Sequence, residues 1–200
     1  MRTWARALGI GTVTLAAALT SHAVNPGDAA PAFTLADVEG KAHSLADHAG
    51  KIVVLEWTNY ECPFVKKHYD SKNMQKLQKT YTDKGVVWLS VCSSAAGKQG
   101  NFTQDVWRER MAKGGVSTPV LLDPDGAVGK AYGAKTTPHM FVVDAAGKIA
   151  YAGAIDDNPS FDPKTIEGAR NFVAAALDAL LQGKPVEAAS SKPYGCSVKY

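Results

Sequence analysis

One stretch near the middle of the chain most constrains the fold. Residues 52–57 form an apolar run with a single glutamate, and Cys62-Pro63 follows after a short polar loop. Such a run is typical of a central strand buried on both faces. Proline suits the first position of a helix, where its missing N–H is not needed. The sequence therefore predicts a strand–loop–helix unit with Cys62 at the start of the helix.

Cys62 has the surroundings of a reactive cysteine. The first turn of a helix presents unpaired backbone N–H groups and the positive end of the helix dipole, and both stabilise a thiolate. Lys66, Lys67 and His68 follow closely and add positive charge, which Glu61 opposes. Thiols in such settings have a lowered pKa and raised reactivity. We therefore predict that Cys62 is a redox-active nucleophile.

The remaining pattern alternates strands with helices and ends in a hairpin and a helix, which predicts an α/β fold with a central mixed sheet flanked by helices. A chain of this length suits one domain. We expect strands at 33–35, 42–45, 52–57, 86–91, 119–122, 140–143 and 149–152, and helices at 63–85, 98–113, 127–132 and 164–181.

The first 23 residues have the pattern of a secretory signal. Arg2 and Arg6 precede an apolar stretch at residues 7–19, and Ser21-His22-Ala23 is a small-x-small cleavage pattern. We expect a mature chain that starts near Val24, carries no membrane anchor after signal removal, and is periplasmic or secreted.

Charge and cysteine count limit the function further. The formal net charge is +3, and Arg2 and Arg6 contribute two of these charges, so the mature chain is almost neutral and does not favour nucleic-acid binding. The chain has three cysteines. Structural cysteines in an oxidising compartment usually occur in pairs, so an odd count leaves at least one thiol free or transiently paired.

Several segments together resemble the redoxin branch of the thioredoxin-like superfamily, which includes peroxiredoxins and periplasmic thiol–disulfide oxidoreductases. The resemblance covers roughly residues 27 to 182 and rests on residues 57–65, Thr136-Thr137-Pro138, 121–126 and 141–149. It implies a thioredoxin-like fold and a thiol-dependent oxidoreductase with antioxidant activity. It also implies that Pro138 follows a cis peptide bond beside Cys62, with the Thr137 backbone available to an extended thiol substrate.

The chain departs from both well-known groups of that branch. Val65 stands where thioredoxins have a second cysteine, Asn59 stands where peroxiredoxins have Thr or Ser, and Leu55 stands where they have Pro. The peroxiredoxin arginine is also missing near Thr137-Pro138. These departures argue against a simple dithiol reductase and against an efficient peroxidase, while the resemblance implies that the substrate is either a peroxide or a protein disulfide. We count Asn59 with Pro63, Thr137 and Pro138 as supporting residues of the site.

A resolving thiol must come from elsewhere in the chain, because an oxidised or mixed-disulfide Cys62 needs a second thiol for its release. Cys196 lies in a tail, residues 184–200, that follows the redoxin domain at residues 24–183. Cys92 ends a predicted core strand and is the alternative. We favour Cys196 as the second catalytic residue, forming a disulfide bond with Cys62, and expect a thiol reductant as recycling partner.

A copper or other soft-metal carrier is the alternative function. Cys62, His68 and His139-Met140 offer soft ligands. His68, however, lies six residues after Cys62, about 120° away around a helix. The leading prediction therefore includes no metal and no cofactor, and places His43 and His48 in surface loops.

Overall fold

The computed structural model describes residues 23–200, so the predicted signal lies outside the described residues except for Ala23. The strands are β1 (Thr34–Ala36), β2 (Ala42–Ser44), β3 (Val53–Trp57), β4 (Val87–Cys92), β5 (Val120–Leu122), β6 (Thr136–Thr137), β7 (His139–Val143), β8 (Ile149–Gly153) and β9 (Cys196–Ser197). The helices are α1 (Pro63–Asp70), α2 (Asn73–Thr82), α3 (Gln104–Gly114), α4 (Ala127–Tyr132) and α5 (Phe172–Leu181). Short 3₁₀ helices occupy Leu45–His48 and Pro163–Ile166.

The central sheet has five strands in the order β5-β4-β3-β7-β8. β3, β4 and β5 run parallel, whereas β7 is antiparallel to β3 and β8 is antiparallel to β7. This mixed sheet with flanking helices confirms the predicted fold class. Two further two-stranded sheets join β1 to β2 and β6 to β9.

Helices cover both faces of the sheet. Because successive side chains of a strand point to opposite sides, β3 contributes to the apolar core on each face. Val54 packs with residues of α1, α2 and α5 on one face. Leu55 and Trp57 face the other side, where the Trp57 ring lies 5.3 Å from that of Tyr132 in α4 and 5.2 Å from that of Phe141 in β7. The β3 strand is therefore buried along its whole length, as its apolar run predicts.

The predicted helix at 63–85 is wrong as a single element. Its α1 segment ends because the Ser71 hydroxyl donates to the carbonyls of Lys67 and His68, at 2.6 and 3.2 Å. Lys72 then takes a left-handed conformation with φ of 63°, and α2 begins in a new direction. A serine that bonds to preceding carbonyls competes with the helix ladder, which accounts for the break.

Two other helices are shorter than predicted. The 98–113 helix starts only at Gln104, since residues 95–101 form successive turns. The 164–181 helix is interrupted at Gly168, with φ of 79°, and α5 starts after Asn171, whose side chain accepts from the Ala174 amide at 2.8 Å. An asparagine cap satisfies an otherwise unpaired N–H of the first turn. Within residues 23–200, no helix has both the length and the apolarity needed to cross a bilayer.

Candidate active site

Cys62 lies where β3 passes into α1. It is the N-cap residue of α1, with Pro63 at the first helical position, and its side chain is 0% exposed. Asn59 shapes the preceding loop: its carbonyl accepts from the Cys62 amide at 2.9 Å, and its side chain bonds to the amide of Glu61 and the carbonyl of Gln99. Asn59 therefore positions the loop that carries the sulfur.

The Thr137–Pro138 segment lies directly beside this sulfur. The peptide bond between the two residues is cis, and the Thr137 carbonyl accepts a hydrogen bond from the Cys62 thiol at 3.0 Å. The Thr137 hydroxyl is buried without a hydrogen-bond partner, and its position near the sulfur lowers the pKa of Cys62. Thr137 thus offers a backbone acceptor to the thiol and has an unpaired hydroxyl near it.

The C-terminal tail completes the site. Strand β9 pairs antiparallel with β6, so that Cys196 lies opposite Thr137. This register places Cys196 beside the Thr137 carbonyl that accepts from Cys62, so that the two thiols influence each other's pKa. Both cysteines are unbonded thiols in this structure. All six residues predicted from the sequence to form or support the site therefore belong to one small region, namely Asn59, Cys62, Pro63, Thr137, Pro138 and Cys196.

The two thiols have opposite pKa shifts. Burial alone would raise the pKa of Cys62, but the polar groups around its sulfur, namely the Cys196 thiol, the Thr137 hydroxyl and the Val65 amide, outweigh it and lower that pKa. Burial and the neighbouring Cys62 sulfur raise the pKa of Cys196 to about 11. Cys62 is therefore the first of the two thiols to ionise as pH rises, as expected of a nucleophile.

A buried polar cluster anchors the tail two residues before Cys196. The Tyr194 hydroxyl donates to Asp156 and lies 3.4 Å from Nε2 of His68. Nζ of Lys67 lies 3.6 Å from the same carboxylate, and Lys67, His68 and Asp156 are 1%, 0% and 3% exposed. Burial lowers the pKa of His68 to about 4, so the ring is neutral near pH 7. The sequence analysis missed this cluster because its members are far apart in the chain.

Cys92 lies elsewhere in the core. It is 4% exposed, and its sulfur contacts the Ser94 hydroxyl at 3.5 Å and the Gly100 carbonyl at 3.6 Å. Burial raises the pKa of this thiol. These surroundings are those of a packed, inert cysteine rather than of a nucleophile.

The residues considered for a soft metal are occupied by other contacts. Both ring nitrogens of His68 face partners, Asn73 at 2.8 Å and Tyr194, while Nδ1 of His139 accepts from the Lys135 amide. Across the described part of the chain, no three His, Cys, Asp or Glu side chains gather as a metal site would require. The surface prediction for His43 is wrong, because Nε2 of this 8% exposed residue bonds to Asp37 at 2.7 Å.

Glu56 is a second polar centre that the sequence analysis missed, because it lies within an apolar run. Its carboxylate is fully buried beneath α1 and α2 and accepts hydrogen bonds from Tyr69, Gln78, Trp88 and Ser90 at 2.8–3.2 Å. Burial raises its pKa despite these donors. The network ties α1, and with it the cysteine loop, to β3 and β4.

Comparison with known proteins agrees with this geometry. The fold and the cysteine at the β3–α1 junction define a thioredoxin-like protein, and a family profile described as Redoxin matches residues 25–169. The chain belongs to the Redoxin family. It is 31% identical over 127 residues to "Thiol-disulfide oxidoreductase ResA" of Geobacillus thermodenitrificans, an alignment that covers 64% of this chain and 68% of that protein.

Two other matches extend the comparison. A Mycobacterium tuberculosis protein whose name places it among the peroxiredoxins is 31% identical over 141 residues, covering 64% of this chain and 84% of that protein. A solved structure of a hypothetical protein from Sinorhizobium meliloti 1021 superposes with a TM-score of 0.76 at 26% identity, covering 90% of this chain and 97% of the other. The similarity in structure thus extends over most of the described residues.

Proposed function

We propose that this chain is an exported thiol–disulfide oxidoreductase in which Cys62 is the nucleophile and Cys196 is the resolving thiol. One observation carries the proposal: β9 places Cys196 opposite Thr137, whose carbonyl accepts from Cys62 at the N-terminus of α1, and the two thiols shift each other's pKa. Family membership and the names of the relatives support a thiol-dependent oxidoreductase. The signal-like pattern of residues 1–23 supports export.

The proposed reaction has two steps. The Cys62 thiolate attacks one sulfur of a substrate disulfide, a new bond joins Cys62 to that sulfur, and the other substrate sulfur leaves as a thiolate that takes up a proton. The Cys196 thiolate then attacks Cys62, and the first substrate sulfur leaves. The substrate gains two electrons, the enzyme retains a Cys62–Cys196 disulfide, and an external thiol reductant returns both cysteines to thiols.

A disulfide suits the site better than a peroxide. Cys62 is 0% exposed and lies beside a strand edge that accepts an extended segment, namely β9. A polypeptide can replace that segment strand for strand. The name of the M. tuberculosis relative keeps peroxide reduction as the competing reaction. Stopped-flow mixing of the reduced protein with hydrogen peroxide and with a disulfide, in parallel, decides between them, and a faster peroxide reaction would overturn the preference.

The pairing of the cysteines is tested by mass spectrometry of the non-reduced protein after mild oxidation. We expect a peptide that contains Cys62 bonded to Cys196. A Cys92→Ala chain is the matched control and should form the same bridge to the same extent, because Cys92 is packed against Ser94 and Gly100. A Cys92–Cys196 bridge with Cys62 free would contradict the mechanism.

A further inference from the structure

We propose that Tyr194-Gly195-Cys196 is an internal mimic of the polypeptide substrate. The site then selects substrate segments in which the reacting cysteine follows tyrosine and glycine, in the order Tyr-Gly-Cys. The inference rests on the proposed function, because it assumes that Cys62 bonds to the substrate cysteine. It adds the substrate class: an extended segment with the pattern Tyr-Gly-Cys that pairs with β6.

The tail occupies the place that such a substrate needs. Cys62 has no exposed surface while the tail is docked, so an external sulfur reaches it only when β9 leaves. The edge of β6 that β9 vacates then offers the same backbone groups, with Thr137 opposite the incoming cysteine. Strand addition to an open edge supplies affinity through the main chain, while pockets for side chains supply selectivity.

The pocket that holds Tyr194 has polar partners for the phenol hydroxyl and an aromatic neighbour for the ring. Its base consists of Asp156 and His68, which face the Tyr194 hydroxyl, and its wall is the Phe64 ring, 5.8 Å from the Tyr194 ring in an edge-on arrangement. Lys67 lies 5.7 Å from the centre of the same ring. Phenylalanine would leave the buried carboxylate without this donor. Sites that hydrogen-bond a hydroxyl discriminate strongly against analogues that lack it.

The glycine is required by close approach of two backbones. Gly195 has φ of 138°, and a Cβ at this position would overlap the carbonyl group of Thr137. That carbonyl is also the acceptor of the Cys62 thiol, so it cannot move aside without disturbing the nucleophile. A residue with a side chain at this position therefore prevents the register that brings cysteine to Cys62.

The experiment uses the full-length Cys196→Ser chain and the peptide Ser-Lys-Pro-Tyr-Gly-Cys-Ser, whose cysteine is activated as a mixed disulfide with nitrothiobenzoate. The Cys62 thiolate forms a disulfide with the peptide and releases the coloured thiolate. Two matched peptides carry Phe in place of Tyr or Ala in place of Gly. All three must displace the same tail, so the cost of displacement cancels in the ratio of their second-order rate constants.

We expect the parent peptide to react about 10- to 100-fold faster than the Phe peptide, as expected for loss of a hydrogen bond to a charged group, and faster than the Ala peptide. An Asp156→Ala substitution, which removes the acceptor of the tyrosine hydroxyl, should abolish the preference for Tyr over Phe while that for Gly over Ala remains. Equal rates for the three peptides in the Cys196→Ser chain would overturn the inference whether or not the Asp156 variant folds.

A small disulfide separates this outcome from failure of the proposed function. The mixed disulfide of glutathione with nitrothiobenzoate contains neither Tyr nor the Gly-Cys register. If it reacts with Cys62 while the peptides show no preference, only the recognition pattern is wrong. If no disulfide reacts with Cys62 in the folded chain, both the nucleophile and the pattern are wrong.

Discussion

Removal of the Cys196 thiol should raise the pKa of Cys62. Burial of Cys62 acts against its thiolate, and the structure offsets this with donors, of which the Cys196 thiol is the strongest. A hydrogen bond to a charged group contributes about 1.5–3 kcal/mol, and one pKa unit corresponds to about 1.4 kcal/mol. Because S–H is a weak donor and Cys196 is half-buried, the lower bound applies. We therefore expect Cys196→Ala to raise the pKa by about one unit.

The matched control is Cys196→Ser, which replaces the thiol with a hydroxyl donor of similar size and leaves the pairing of β9 with β6 intact. Its Cys62 pKa should stay close to that of the parent chain. The assay is titration of the thiolate by its ultraviolet absorbance, checked by the pH dependence of alkylation at Cys62. Cys92 does not interfere, because burial raises its pKa. If the Ala and Ser variants titrate alike, Cys196 does not donate to Cys62, and the tail does not stabilise the nucleophile.

Three further results are expected. Thr137→Val removes, at nearly constant shape, the buried hydroxyl that lowers the pKa of Cys62 and should raise that pKa by about one unit, measured in the same titration. Glu56→Ala leaves four buried donors without an acceptor and should lower the free energy of unfolding in urea by about 3–5 kcal/mol, whereas Glu56→Gln should lower it less. The pKa of His68 is about 4 in the folded chain and about 6.5 in the unfolded chain, so the unfolded chain takes up a proton first as pH falls. The free energy of unfolding should therefore decrease by up to about 3 kcal/mol between these two pH values. His68→Gln should remove this contribution to the dependence of stability on pH.

The strands, turns and helices that could be predicted well from the sequence are those determined by the local pattern of apolar and turn residues. The apolar run at 52–57 is β3, the turn residues at 145–147 separate β7 from β8, and the helix at 127–132 has the bounds of α4. In each case, the periodicity of apolar residues and the bounding glycines act within a few residues of the element. Cys62 could be placed for the same reason, since its position at a helix start follows from its immediate neighbours.

Features that depend on distant contacts could not be predicted in this way. Lys67 and Asp156 are charged residues, which usually lie at the surface, and only the folded chain brings them together at 3.6 Å. Lys72 has a left-handed conformation that nothing in its side chain favours. The tail carried one usable signal, Gly195 directly before Cys196, because glycine often marks a close approach of backbones.

The two opposite pKa shifts impose an order on the proposed chemistry. While Cys62 carries the charge, the same hydrogen bond that stabilises its thiolate keeps the proton on Cys196, whose pKa is about 11. Cys62 therefore attacks first. Once its sulfur is bonded to a substrate, Cys62 is neutral, and the pKa of Cys196 is raised by burial but no longer by the hydrogen bond to the Cys62 thiolate and the repulsion from its charge. Cys196 then ionises more readily and becomes able to attack, so that the resolving step follows substrate capture and does not compete with it.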